Sequence, residues 1–469
     1  MIRIISTIPF IFGLITYYIV ALSPSNYSLL EQGFLSSIKK QHWGTCWAFS
    51  TISSLESNIL KRKLQFSHDL SEYHLDKFNG FNRNGRESDP KKEWFSTQGK
   101  GYIGSNRDDQ RSGLMVHLGG DYRVAAAYLS NTLGAVEESK TPGIKTDSDF
   151  ASFGNSPGEG ILLRNNYQYI YPKSIEWLVW GNSNLETQNR IKKAIKENGA
   201  VASAQFMESS PLAIIKGKEW HQNLKEEGPN HAISIVGWDD RISYKGKTGA
   251  WLIKDSDHIN EEDNTKIGLF YISYQDLITG KHRDMGAVSF KNVSLRDSRA
   301  RVYSHALHGW RYSQIFPGPI KNLYTIKGDE TLNAIGLYLP TPQETATYKV
   351  SINGNFLLKE TINRENPGFY YLKIPNYDVR IGDKVEIIQE NKSTLYSIDS
   401  SSWITVLLGD TEDTLKPQWV ESKANPKESY YYEKDKWYDL TSKESSSEIN
   451  YRKANFPIIL YTLNREELK

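Results

Sequence analysis

One cysteine in 469 residues, Cys46, rules out any intramolecular disulfide. Whatever fold the chain adopts must be held by buried side chains, and a chain this long can form two or three separate cores. Composition alone favours a lone cysteine as a small buried hydrophobe, but its neighbours change that reading. Ala48, Ile52, Leu55 and Ile59 recur at helical spacing over residues 47–60, which contain no Pro or Gly. That spacing predicts a helix starting at or just after Cys46. The positive potential at a helix N-terminus favours a thiolate, the nucleophilic form of the side chain.

The rest of the composition is permissive. Apolar residues make up 38% of the chain, charged residues 24%, and the formal net charge is +2. That balance suits a soluble protein and gives no electrostatic footprint for nucleic acid. Arg3 precedes an apolar run over residues 8–22, which has signal-peptide length and is short of the roughly 20 residues that span a bilayer. Ala21-Leu22-Ser23 offers small residues for cleavage. The expectation is a secreted or extracytoplasmic protein, with an uncleaved membrane anchor and a buried core helix as the alternatives. Between this run and Cys46 no stretch of about a hundred residues is available for a folded pro-region.

Further along, Ala232, Ile233, Ile235 and Val236 follow His231 as a β-prone run, and Ala250 to Ile253 forms another. Thr187 to Asn198 reads as an amphipathic helix leading into a strand over Gly199–Ala204. Past residue 300 the character changes to short β-type runs between turn signals. These are Leu332–Leu339, Tyr348–Ile352, Tyr370–Ile374, Lys384–Ile388 and Pro457–Leu463. That spacing predicts an antiparallel sandwich of about 8–10 strands.

Several stretches, in order, resemble the papain-like cysteine proteases. Gln41-His42-Trp43-Gly44-Thr45-Cys46-Trp47-Ala48-Phe49-Ser50 is similar to the active-site segment of that family. Leu70-Ser71-Glu72-Tyr73-His74-Leu75 resembles its Leu-Ser-Glu segment. Gly119-Gly120 and the residues through Ser139 resemble its Gly-Gly turn and following helix. Asn230-His231 through Trp238 resembles the histidine strand, and Gly249 through Ser256 the strand that ends in Lys-Asn-Ser. The C-terminal part resembles the lectin-like β-sandwich that follows such domains in some bacterial secreted proteases. It does so through Asn322-Leu323-Tyr324, Glu330 to Tyr338, Ser429-Tyr430-Tyr431 and Trp437 to Leu440.

The resemblance implies an α+β chain: a papain-like two-lobed domain (helical lobe plus β-barrel-like lobe) with a C-terminal all-β sandwich. The divisions are residues 1–23 for the signal or anchor, 24–292 for the protease domain and 300–469 for the lectin-like domain. It implies an exported cysteine endopeptidase in which Cys46 is the nucleophile, His231 the base and Asp255 its orienting partner. Gln41 would stabilise the oxyanion with the Cys46 N–H, and Gly119 and Gly120 would lie against the substrate backbone. Cofactors are expected to be none, and so are metal ligands; no spaced Ca²⁺ loop is visible. The expected partners are a protein or peptide substrate and a cell-surface or glycan contact through the C-terminal domain, with no nucleic acid.

Three departures qualify that picture. Asp255 stands where the family has Asn, and Asp257 where a Trp would shelter the pair. Gln41 is one residue closer to Cys46 than in papain itself. The Cys46–His231 separation also exceeds the roughly 130–150 residues usual for the papain type, with the excess expected in polar loops such as Asn79–Gly113 and Thr141–Asn166. Two other readings fit parts of the pattern. A transglutaminase or cell-wall amidase would share a Cys-His-Asp order, and a non-catalytic adhesin would use the protease fold as a scaffold.

Overall fold

The computed structural model describes residues 24–41, 44–82, 113–114, 119–132, 134–140, 168–207, 211–224, 228–259, 267–405 and 417–465. The apolar run at 8–22, His42 and Trp43, and most of the two polar loops fall outside them. Among the described residues no helix is long and apolar enough to cross a membrane.

Four α-helices stand among these residues: α1 (Cys46–Lys61), α2 (Glu72–Lys77), α3 (Tyr122–Asn131) and α4 (Asn184–Asn198). Their starts are chemically marked. Ser71, Asp121 and Ser183 each accept the backbone N–H three residues on, which satisfies a donor the helix leaves open. Helix α1 is buried nearly all round, so its sequence carries Ser50, Ser54 and Asn58 as well as the apolar stripe. Their side chains hold neighbouring backbone: Ser50 Oγ donates to Ile233 O at 2.6 Å, Ser54 Oγ to Ala200 O, and Asn58 Nδ2 to Asn198 O at 2.7 Å.

Among the described residues a thirteen-stranded sheet runs through both the N-terminal and the C-terminal part. At one end lie Ala300–Tyr303, Ile458–Asn464, Glu330–Leu339 and Gly368–Val379. The order continues through Ser174–Trp177, Val288–Lys291, Val201–Gln205, His231–Tyr244, Lys247–Ile259, Ile267–Ser273, Lys218–His221 and Ala213–Ile215. Asn26–Ser28 adds to the His231 strand. The N-terminal and C-terminal parts are stitched where Gly368, Phe369 and Tyr370 pair antiparallel with Glu176, Ile175 and Ser174. A six-stranded sheet, Asn355–Arg364, Glu344–Ile352, Lys384–Asn391, Ile320–Thr325, Ser429–Glu433 and Lys436–Asp439, closes the sandwich. Leu332, Ile335 and Leu337 from one sheet meet Tyr324, Tyr348, Val385 and Ile387 from the other in its core.

The β-rich C-terminal part is as expected, but fourteen strands are described from Ala300 onward, more than the 8–10 read from sequence. Asn355–Arg364 shows why. It is an edge strand exposed along most of its length, so burial imposes no alternation for sequence to reveal.

The two parts share one core as well as one sheet. Trp47, Ile52 and Leu55 of α1 lie in a single buried cluster with Trp310, Tyr338, Phe369, Ile404, Val420, Ile459 and Tyr461. Hydrogen bonds cross the same boundary: Ser130 Oγ meets the Tyr338 hydroxyl at 2.8 Å, and Tyr461 donates to Ser130 O at 2.6 Å.

Candidate active site

Cys46 is the first residue of α1 and is fully buried. No acidic side chain occupies the first turn to cancel the helix-end potential. The bond from Ser50 to Ile233 O fixes the helix against the His231 strand two residues from the imidazole. Tyr122 braces the same point: its hydroxyl donates to Ser203 O and lies 2.9 Å from Ser50 Oγ.

His231 and Asp255 face each other on adjacent antiparallel strands. Nε2 of His231 donates to Asp255 Oδ1 at 2.8 Å, and both side chains are fully buried. Asp257 N donates to the same oxygen at 3.0 Å, so that end of the carboxylate is held from two directions. His231 Nδ1 has no hydrogen-bond partner among the described residues, and the Cys46 thiol lies near enough to act on the ring electrostatically. Burial alone would push this imidazole down. The Asp255 charge and hydrogen bond, aided by the thiol, override it and hold His231 well above the ordinary imidazole range.

Gln41 joins the group through Ser256, which stands out in the sequence only as the end of the Gly249–Ser256 stretch. Its backbone N–H donates to Ser256 O at 2.8 Å, and Ser256 Oγ donates to Gln41 Oε1 at 2.7 Å. The side-chain amide of Gln41 is thereby anchored, through its oxygen, to the residue after Asp255. The shorter Gln41–Cys46 spacing therefore does not detach Gln41 from the cluster.

An ionic knot ties the segment that carries Gln41 to α1 and α2. Lys39, two residues before Gln41, contacts Glu56 of α1 at 3.0 Å, Glu72 of α2 at 3.0 Å and Asp69 at 2.9 Å. Lys254, next to Asp255, donates to Ser36 Oγ at 2.9 Å and is held below its usual pKa by burial. Burial, reinforced by Glu56 and Glu138 and opposed by Lys39, raises Glu72 to about 8. Sequence reading had marked Glu72 only as part of a motif.

Gly119 and Gly120 stand immediately before α3. Gly119 has φ +96°, in the region that favours glycine. At Gly120 a Cβ would lie 2.4 Å from the ring of Trp47, so only glycine lets this turn close on the residue after Cys46. The structure thus gathers Gln41, Cys46, His231 and Asp255 into one cluster with the Gly119–Gly120 turn at its edge. No group of three or more metal-ligating side chains occurs among the described residues.

No protein-family model and no curated protein matches the sequence. Solved structures do match. One is the clostridial cysteine protease Cwp84, as a Cys-to-Ala variant after propeptide cleavage. It has a TM-score of 0.65 and 22% identity, over 94% of this chain and 100% of that one. A second holds the cysteine protease and lectin-like domains of Cwp84, a surface-layer-associated protein of Clostridium difficile. It has the same score and identity, over 94% of this chain and 89% of that one. The fold is therefore that of a papain-like cysteine protease joined to a lectin-like domain.

Proposed function

We propose that this chain is an exported cysteine endopeptidase. The reading rests above all on His231, held by Asp255 on one side and with the Cys46 thiol near enough to its ring to act on it electrostatically, inside one buried cluster. In the reaction, the thiolate attacks the carbonyl carbon of a peptide bond. The Gln41 amide and the Cys46 N–H stabilise the oxyanion. Imidazolium His231 protonates the leaving amine as the C–N bond breaks, giving an acyl-thioester. Water, deprotonated by His231, then hydrolyses the thioester and restores the thiol. Asp255 keeps the imidazole oriented and stabilises its charge; a carboxylate in place of the family's amide favours the imidazolium.

A peptidyl epoxide tests the assignment of the nucleophile. Incubation with residues 24–469 should add one adduct by intact mass and none to a Cys46→Ala control. No adduct on folded protein between about pH 5 and 9, the range of thiol and imidazole titration, would remove Cys46 from this role and favour the scaffold reading.

Export, as in the surface-associated Cwp84, is part of the proposal. Glycan contact by the C-terminal part has one specific support. Trp403 is 49% exposed and packs on Trp419 with ring centroids 5.2 Å apart, an aromatic surface of the kind a sugar face stacks on.

A further inference from the structure

We propose that Arg311, supplied by the C-terminal part, is a positioning residue that holds the Gly119–Gly120 turn against Trp47, the residue after Cys46, and so sets where a substrate backbone lies. The inference rests on the peptidase reading above, in which that turn lies against the substrate backbone.

The turn is gripped on both flanks by residues beyond 300. Before it, Gly113 N donates to Trp419 O at 2.8 Å. After it, Asp121 divides its carboxylate between two tasks. Oδ1 caps α3 at Val124 N, 2.7 Å away, while Oδ2 faces Arg311 Nη2 at 3.4 Å. Arg123 adds a second tie: Nη1 donates to Arg311 O at 3.0 Å, and its guanidinium sits 4.4 Å from the Trp310 ring centre. Arg311 is itself fixed from the C-terminal side, with Nε donating to Ser402 Oγ at 3.1 Å and its N–H to Ile398 O at 2.9 Å.

Two features argue that this arginine serves the turn rather than general stability. Its side chain is only 6% exposed, yet Nη1 has no hydrogen-bond partner among the described residues. A buried cation with an unmet donor is a poor stabilising device compared with an apolar side chain of similar size. Its ionic partner, moreover, is the residue directly after Gly120, whose close packing on Trp47 leaves no space for the turn to drift inward. Loss of the ion pair would leave Asp121 held by its helix cap alone and let the turn move outward, away from Trp47.

The test compares two alkylating agents on the full chain. Iodoacetamide reaches the thiol without using the substrate-binding edge; a peptidyl chloromethyl ketone needs it. In Arg311→Met, and in Asp121→Asn, which keeps the helix cap but loses the charge, the iodoacetamide rate should stay within about twofold. The peptidyl reagent should react about tenfold more slowly, and peptide KM should rise by a similar factor with kcat within about threefold. Arg311→Lys should recover part of the loss. If both variants keep the wild-type preference for the peptidyl reagent, or lose both rates equally, the inference is overturned while the peptidase reading stands. If the wild type itself shows no preference, the peptidase reading fails and the inference falls with it.

Discussion

His231→Ala is expected to lower kcat/KM by about 10³–10⁴-fold, the range seen when a nucleophile loses the base that activates it. The imidazole has two jobs in the proposed cycle, pairing with the thiolate before attack and protonating the amine as it leaves, and no other described side chain is positioned to take over either. A steady-state assay against a peptide ester and the matching amide separates the two jobs. The amide, with the poorer leaving group, should suffer more. The pH dependence carries the sign of the Asp255 interaction. Asp255 raises the His231 pKa, so the imidazolium persists above the ordinary value near 6.5, and the falling alkaline limb of kcat/KM should lie above that value. Asp255→Asn removes the negative charge and should move that limb to lower pH. An alkaline limb that does not move would separate Asp255 from the titrating group.

The second large effect concerns the whole chain. A fragment of residues 24–299 is expected not to fold cooperatively, even though it contains every proposed catalytic side chain. It lacks Trp310, Tyr338, Phe369, Ile404, Val420, Ile459 and Tyr461, which lie in the same buried cluster as Trp47 and Ile52. It also leaves Ser174–Trp177 without the Gly368–Tyr370 strand. At about 1.5–3 kcal/mol for each large apolar side chain, the lost burial is on the order of 10 kcal/mol. That is comparable with the entire stability of a typical domain, about 5–15 kcal/mol. Circular dichroism with a thermal scan of the fragment beside residues 24–469 decides the matter. A cooperative transition in the fragment, with unchanged thiol reactivity, would contradict the shared core.

What sequence made legible follows from locality. The α1 start at Cys46 could be read from the stripe Ala48, Ile52, Leu55 and Ile59, and the His231 and Asp255 strands from the β-prone runs at Ala232–Val236 and Ala250–Ile253. The features that escaped depend on partners far apart in the chain. Ser256 matters because its hydroxyl meets Gln41 Oε1, 215 positions away. Lys39, Glu56 and Glu72 look like separate surface charges until folding places all three within 3.0 Å contacts in a buried knot. Ser50, Ser54 and Asn58 suggest a solvated helix face, yet that face is inside, its polar groups met by the backbone carbonyls of Ile233, Ala200 and Asn198. Arg311 carried no signal, since nothing nearby in sequence distinguishes it from a surface arginine.

The most direct measurement is cleavage of an unfolded protein by purified residues 24–469 under reducing conditions, beside Cys46→Ala, with the products identified by mass spectrometry. Discrete peptide-bond cleavage by the wild type and none by the variant is the expected result. Equal cleavage by both would place the activity elsewhere. No cleavage by a folded wild type, or incorporation of an added amine without hydrolysis, would contradict the endopeptidase assignment.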